Sequence, residues 1–294
     1  MPITLTRTGL CPACRGSHGH QLLFKLDRFD VFRCPCGLRF IDPSLDGKSM
    51  MEIYRSSETL REINPALEHY YEYDTLDPQS LTCRDYSGAL KEVGRVTPGR
   101  ELLEVGCGTG SFLEFAKAKG WQVTGVDSSP ENIGKLRERG IEGEAADFLT
   151  LSTSKRFDVI VLWDLIEHPQ DPTSFVEKSW ELLNEKGLLL IATPHDPSLL
   201  SLLAGALYRL SRGRIKFPVR QLYILEHTSY FSLKTLRALL EKGGFRVVKA
   251  WKTETDLERY HFSPLLRTGL RGAFFLARCL GLQNRLIAVA RKVV

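Results

Sequence analysis

Apolar and polar positions change their period along this chain, and the change divides it. From residue 101 onward, short apolar runs alternate with amphipathic stretches. The runs at 101–105, 121–126, 141–145, 157–162, 187–192, 245–250 and 286–290 predict strands, and 111–119, 129–139, 173–183 and 232–241 predict helices. Punctuation agrees with the pattern: Gly120 and Gly140 close helices, Pro130 occupies a first turn, and Ser232 caps a helix start. Strands that alternate with helices predict an α/β fold, a mostly parallel sheet with helices on both faces. Before residue 101 the pattern weakens. Residues 1–45 hold only short strand-like runs at 21–24 and 31–33, too few for a core of their own. Residues 46–98 are polar and aromatic, with helices expected at 60–73 and 81–94 and a break at Pro98-Gly99. The expected organisation is therefore an appendage at 1–45, a helical linker and lid at 46–98, and a main domain at 99–294 with helical insertions near 197–225 and 263–280.

Composition narrows this picture without redirecting it. An apolar fraction of 43% and a charged fraction of 26% over 294 residues are those of a globular chain. The net charge of +5 is modest, and no dense basic tract points to duplex nucleic acid. No charged start followed by an apolar stretch marks a secretory signal, and no run of eighteen apolar residues spans a bilayer. The expected location is the cytoplasm, where thiols stay reduced. Four of the seven cysteines, Cys11, Cys14, Cys34 and Cys36, crowd into the N-terminal segment as two knuckles. Four thiolates in paired spacing suit a structural Zn2+, and a redox dithiol is the rival. The second knuckle, Cys34-Pro35-Cys36, is one residue tighter than the usual C-x-x-C, which makes His18 or His20 an alternative ligand.

The segment Glu104-Val105-Gly106-Cys107-Gly108-Thr109-Gly110 closes the first strong strand and opens a helix. Glycines there let backbone approach a ligand, as dinucleotide sites also do. Ser111 stands where the third glycine of G-x-G-x-x-G would fall, and the acid Glu104 would repel a pyrophosphate. Glu104 suits a cationic head such as an amino-acid ammonium group. Asp127 ends the second strand, where a carboxylate accepts from ribose hydroxyls. Asp147-Phe148 follows the third and offers an acceptor for an adenine amine beside a packing ring.

At these residues the chain resembles the class I S-adenosylmethionine-dependent methyltransferases, of the bacterial type with an N-terminal cysteine-rich zinc ribbon. Glu104–Gly110 resembles their first motif, Gly125-Val126-Asp127 the second, Ala146-Asp147-Phe148 the third, and the stretch from Phe157 to His168 the fourth. The resemblance implies a Rossmann-like seven-stranded sheet of order 3-2-1-4-5-7-6 with its last strand antiparallel. It implies S-adenosyl-L-methionine bound by Glu104, Gly106, Gly108, Gly110, Asp127, Ser128, Asp147 and Phe148, with Trp163 and Asp164 on the sulfonium side. The aromatic Tyr70, Tyr71 and Tyr73 stand where such proteins close over the cofactor.

Methyl transfer to an oxygen or nitrogen needs alignment and a base with a pKa near neutrality. His168 and His227 are the candidates, with His195 a weaker third, and no Asp/His spacing points to a catalytic metal. The apolar stretch 199–210, with Arg209, Arg212, Arg214 and Lys216 at and after its end, reads as a lid or core-packing helix, with a helix lying on a membrane surface as the alternative. The stretch 263–280, with Arg267, Arg271 and Arg278 at helical spacing, reads as a solvated basic face or a surface for an anionic lipid or nucleotide-sugar. The expected activity is methylation of a small-molecule hydroxyl on a sugar, quinone-like or secondary-metabolite scaffold. The alternatives are a lipid-linked or macromolecular acceptor, a non-catalytic cofactor-binding scaffold, and a nicotinamide-dependent oxidoreductase.

Overall fold

Strands buried on both faces must be apolar at every position, whereas one-sided strands alternate. The runs Val159–Leu162 and Leu188–Ala192 are buried throughout and lie at the centre of the sheet. The computed structural model describes residues 4–55, 77–260 and 262–293. Before the main sheet come five short strands, β1 (Leu5–Thr6), β2 (Gln21–Lys25), β3 (Asp30–Arg33), β4 (Arg39–Asp42) and β5 (Ser44–Leu45). Helices α1 (Gly47–Arg55) and α2 (Leu81–Val96) follow. The alternating part comprises β6 (Glu101–Val105), α3 (Ser111–Lys117), β7 (Gln122–Asp127), α4 (Pro130–Glu138), β8 (Glu142–Ala145), β9 (Phe157–Trp163), α5 (Pro172–Leu182) and β10 (Leu183–Pro194). Two helices, α6 (Leu199–Leu210) and α7 (Phe217–Leu222), precede β11 (Ser229–Tyr230), α8 (Leu233–Lys242), β12 (Phe245–Thr253), α9 (Pro264–Leu280) and β13 (Arg285–Lys292).

The seven-stranded sheet runs β8-β7-β6-β9-β10-β13-β12, which is the expected order 3-2-1-4-5-7-6. Strand β13 pairs antiparallel with both neighbours and the others pair in parallel, so the architecture is the Rossmann-like one anticipated. Successive residues of a strand face opposite sides. Leu103, Ile160, Leu162 and Leu189 accordingly join one core with α5 and α8, while Leu102, Val159, Val161 and Leu190 join another with α2, α3 and α4. All parallel strands present their carboxyl ends on one side, and the loops carrying Glu104, Asp127, Asp147 and Asp164 collect there.

The N-terminal segment reaches further into the molecule than its sequence pattern suggests. Strands β2, β3 and β4 form an antiparallel sheet, and β11, from far along the chain, pairs with β4 as its fourth strand. Phe24, Val31, Ile41, Leu45 and Ile53 pack with Ala204, Val219, Tyr223 and Tyr230, so α6 and α7 complete the missing core. Beneath this junction the Arg39 guanidinium lies 2.9 Å from Asp196 and donates to the Tyr223 hydroxyl, which itself donates to Asp196 at 2.6 Å. Strands β4 and β5 and helices α1 and α7 were not foreseen, being short and carrying only one or two periods of pattern. The helix expected at 60–73, with Tyr70, Tyr71 and Tyr73, lies outside the described residues.

Removing Arg39 strands Asp196, which is 6% exposed, and breaking a buried pair from one side costs about 3–5 kcal/mol. Arg39→Met should lower unfolding free energy by about that amount in chemical denaturation, and the Arg39→Met/Asp196→Asn double variant should lose less than the sum of the two single changes.

Candidate active site

The turn after β6 is built on positive φ values, +67° at Gly106 and +87° at Gly110. A Cβ at Gly110 would lie 2.2 Å from Leu136 Cδ1, and one at Gly106 would lie 2.9 Å from Leu165 Cδ1, so neither position tolerates a side chain. The turn is tied to the next strand by the Gly108 amide, which donates to Asp127 Oδ2 at 2.8 Å. Asp127 Oδ1 accepts from the Ser129 amide at 2.8 Å and from Asn132 Nδ2 at 3.3 Å. Oδ2, with one protein donor, is therefore the freer oxygen for a ligand hydroxyl. Asp147 caps the short 3-10 turn Phe148–Thr150 by accepting from the Leu149 amide, and the Phe148 ring packs 5.7 Å from Phe175.

Glu104 is 3% exposed, and its Oε2 has no hydrogen-bond partner among the described residues. Burial, then the charges of Asp127 and Asp164, push its carboxyl well above the usual range. A ligand ammonium would supply both the missing donor and the missing positive charge. Asp164, at a φ of +51°, follows β9, and Arg285 Nη2 at the start of β13 lies 2.8 Å from its Oδ1. Trp163 stacks on Phe112 at 5.5 Å and meets the edge of Tyr86, so much of its ring belongs to the core while the remainder faces the cavity.

The histidines differ in setting. His168 Nδ1 donates to the Glu226 carbonyl oxygen at 2.8 Å, and the Tyr54 hydroxyl lies 3.1 Å from the same nitrogen. That assignment leaves Nε2 with the lone pair. Burial lowers the His168 pKa, while burial and the neighbouring His168 lower that of His227 strongly. The two rings meet edge to face at 4.7 Å. Glu167 is 1% exposed, accepts from Thr193 Oγ1, and is pushed up to about 8 by burial and by Asp164. Donor atoms of Glu167, His168 and His227 lie within 4.8 Å of one another, a grouping their sequence separation conceals. His195 donates through Nδ1 to the Gln283 carbonyl oxygen, and burial lowers its pKa too.

Glu104, Gly106, Gly108, Asp127, Asp147, Phe148, Trp163, Asp164 and the three histidines line one cavity of about 2210 Å³, above the roughly 300–1,000 Å³ usual for one small ligand. Its far side is mostly apolar, formed by α6, α7 and α9 and by Leu26 and Phe29 of the turn between β2 and β3, with Asp27, Arg28, Arg220 and Gln221 among them. Arg285, Tyr54, Leu26 and Phe29 were not legible as site residues, because each arrives from a segment with no motif. On the other side of that sheet the four cysteines converge. Cys11 Sγ lies 3.7 Å from Cys36 Sγ and Cys14 Sγ lies 3.4 Å from Cys34 Sγ. Tetrahedral zinc with bonds of about 2.3 Å separates sulfurs by about 3.8 Å, so the donor set fits that ion. The tight second knuckle is accommodated by a turn in which the Gly37 amide donates to the Cys34 carbonyl oxygen. His20 instead packs edge-on against Phe40, and neither it nor His18 joins the cysteine cluster.

A Rossmann-like sheet with acids at successive strand ends and a glycine turn defines a nucleoside-binding fold. The chain belongs to the methyltransferase domain family, which it matches over residues 81–250. Similar proteins include a ubiquinone biosynthesis O-methyltransferase of Psychrobacter arcticus, 29% identical over 71% of this chain and 79% of the relative. Another of that name, from Actinobacillus pleuropneumoniae serotype 7, is 25% identical over 66% of this chain and 89% of its own length. Among solved structures, magnesium protoporphyrin IX methyltransferase of Synechocystis, with bound SAH, shares the fold at a TM-score of 0.53 and 14% identity, over 84% of this chain and 100% of that one. The [4+2]-cyclase SpnF shares it at a TM-score of 0.52 and 15% identity, over 82% and 97% of the two chains, so the fold alone does not dictate the reaction.

The Glu167 carboxyl binds its proton more tightly folded than unfolded, from an ordinary value of 4.5 up to about 8. Its contribution to stability is therefore present below the unfolded value and is lost as pH rises through the folded one. Glu167→Gln should shrink the fall in melting temperature between about pH 5 and about pH 9, as measured by differential scanning calorimetry.

Proposed function

We propose that this chain transfers a methyl group from S-adenosyl-L-methionine to a hydroxyl oxygen of a small, quinone-like acceptor. The observation that carries the cofactor reading is Glu104, a buried carboxyl with an unpartnered oxygen beside a glycine turn that admits no side chain. Glu104 would hold the ammonium group, Asp127 Oδ2 and Ser128 the ribose, and Asp147 and Phe148 the adenine. Gly106, Gly108 and Gly110 give backbone access, and Trp163 and Asp164 bound the sulfonium side. When bound, the cofactor supplies an electrophilic methyl whose leaving group needs no acid.

The chain's own work is alignment and proton removal. His168, held in one tautomer by the Glu226 carbonyl oxygen, accepts the acceptor's hydroxyl proton at Nε2. The apolar far wall suits an aromatic or hydrocarbon acceptor, and the names of the relatives support oxygen on a quinone precursor. His227 packs edge to face on the His168 ring and is itself strongly disfavoured as a cation, while burial keeps His168 neutral and ready to accept a proton. A structural Zn2+ on Cys11, Cys14, Cys34 and Cys36 would fix β2 to β4, and through them the Leu26 and Phe29 wall. The expected site of action is the cytoplasmic side.

S-adenosylhomocysteine should raise the melting temperature and NAD should not; the reverse pattern overturns the reading. Asp127→Ala should abolish the S-adenosylhomocysteine shift. His168→Gln should leave that shift intact while lowering turnover by about 10²–10⁴-fold. Because the His168 pKa lies below the usual 6.5, kcat/KM should rise with pH, reach half its plateau below that value, and stay flat near neutrality. Elemental analysis should find one zinc per chain, absent from the Cys11→Ser/Cys34→Ser variant.

A further inference from the structure

Soluble monomers seldom expose a continuous apolar surface, and this chain exposes one beside its cavity. Helices α6 and α9 pack against each other, and the surface they share with the turn into α7 presents Leu210, Leu265, Phe217 and Phe275, exposed by 84%, 85%, 69% and 68%. Leu203, Leu207, Phe217 and Leu266 are exposed and also line the cavity, so the cavity mouth opens within this patch. No helix of the described residues is long and apolar enough to cross a membrane.

Charge points to the partner. Residues 197–225 and 262–282 contain no Asp or Glu and carry eight Lys and Arg, more than the net +5 of the whole chain. Lys216 and Arg220 are spoken for by Asp27, Arg267 and Arg271 by Glu258, and Arg278 by Glu254. Arg209, Arg212 and Arg214 are exposed and form no ion pair among the described residues. A second copy seated on this face would bring two such arginine groups together, and the carboxylates beside them, Asp27, Glu254 and Glu258, are already engaged with other cations, an arrangement that repels. An apolar surface edged by unpaired cations instead matches the interface of an anionic bilayer, where side chains sink among acyl chains and cations meet headgroups.

We propose that the α6–α9 face seats on an anionic phospholipid bilayer, with the cavity mouth opening toward the acyl layer and the acceptor carrying an apolar tail. The acceptor half rests on the O-methylation reading above; the docking half does not. The test is co-sedimentation of the full chain with vesicles of mixed phosphatidylglycerol and phosphatidylcholine, against phosphatidylcholine alone. Binding should require phosphatidylglycerol and fall with salt. Arg209→Glu/Arg212→Glu/Arg214→Glu should weaken it on the order of 100-fold, and Leu210→Ser/Leu265→Ser/Phe275→Ser should release the protein at low salt. Both variants should keep the S-adenosylhomocysteine shift, so a failure of docking is distinguishable from a failure of the cofactor reading. The Phe217→Trp indole should be quenched by brominated phosphatidylcholine in the mixed vesicles. Absence of vesicle binding overturns the proposal, as does a wild-type dimer that the serine variant dissociates without any vesicle binding. An unquenched indole on bound protein overturns the orientation of the mouth.

Discussion

Carboxyl groups gathered at the ends of parallel strands repel one another, and burial multiplies the cost. Glu104, Asp127, Asp164 and Glu167 stand in this relation at the ends of β6, β7 and β9. Asp127 is stabilised by three N–H donors, Asp164 by Arg285, and Glu167 by a hydroxyl and by holding a proton more tightly. Glu104 also holds a proton more tightly, but its Oε2 has no donor among the described residues. The fold thus concentrates negative potential at one point and leaves one acid there to be completed by a ligand. That constraint explains why the glycine turn beside it is held to backbone alone, and why a cation rather than a phosphate belongs in it.

The acceptor side obeys a different rule. Its wall is assembled from pieces that cannot fold alone: a short N-terminal sheet, two helices inserted after β10, and a helix before β13. The sheet borrows β11 as its fourth strand and borrows α6 and α7 for its core. The buried Arg39–Asp196–Tyr223 group fixes the angle at which it arrives. The cysteine cluster at one end of that sheet and the cavity wall at the other are therefore mechanically one object. A loosened cysteine cluster would be felt as a misplaced Leu26 and Phe29 before it was felt as unfolding of the main sheet.

What the sequence disclosed follows from where the information is local. The seven main strands and the acids at their ends were legible because apolar runs and a glycine turn each signal themselves within a few residues, whereas the strand order came only from the resemblance to the methyltransferase family. The tight Cys34-Pro35-Cys36 knuckle left the cysteine geometry open, and in the fold its turn is closed by a hydrogen bond from the Gly37 amide to the Cys34 carbonyl oxygen. Arg285 was not legible, because its importance comes from an antiparallel last strand that starts where the others end. The Tyr54–His168–His227 grouping was hidden for a similar reason, since α1, the loop after β9 and the loop before β11 meet only in the folded chain. Strand β4 was missed because Phe40 and Ile41 give one alternation before Asp42-Pro43 ends it.

The helices at 199–210 and 263–280 show the limit from the other direction. Their amphipathic pattern was visible, and by itself it favoured a lid or core helix over a surface helix for the first and a solvated basic face over an anion-binding surface for the second. Packing decides, because each helix has two apolar sides. Ala204 faces the N-terminal sheet and Phe274 and Ala277 are buried, while Leu203, Leu210, Leu265 and Phe275 remain in solvent. A lid would hide its second apolar side over the ligand, and a core helix would have none to spare. Here the second side surrounds the opening of the cavity instead. The helices therefore serve as a wall on the inside and as an unpaired surface on the outside, and that combination makes physical sense where the acceptor and the surface it leaves are both apolar.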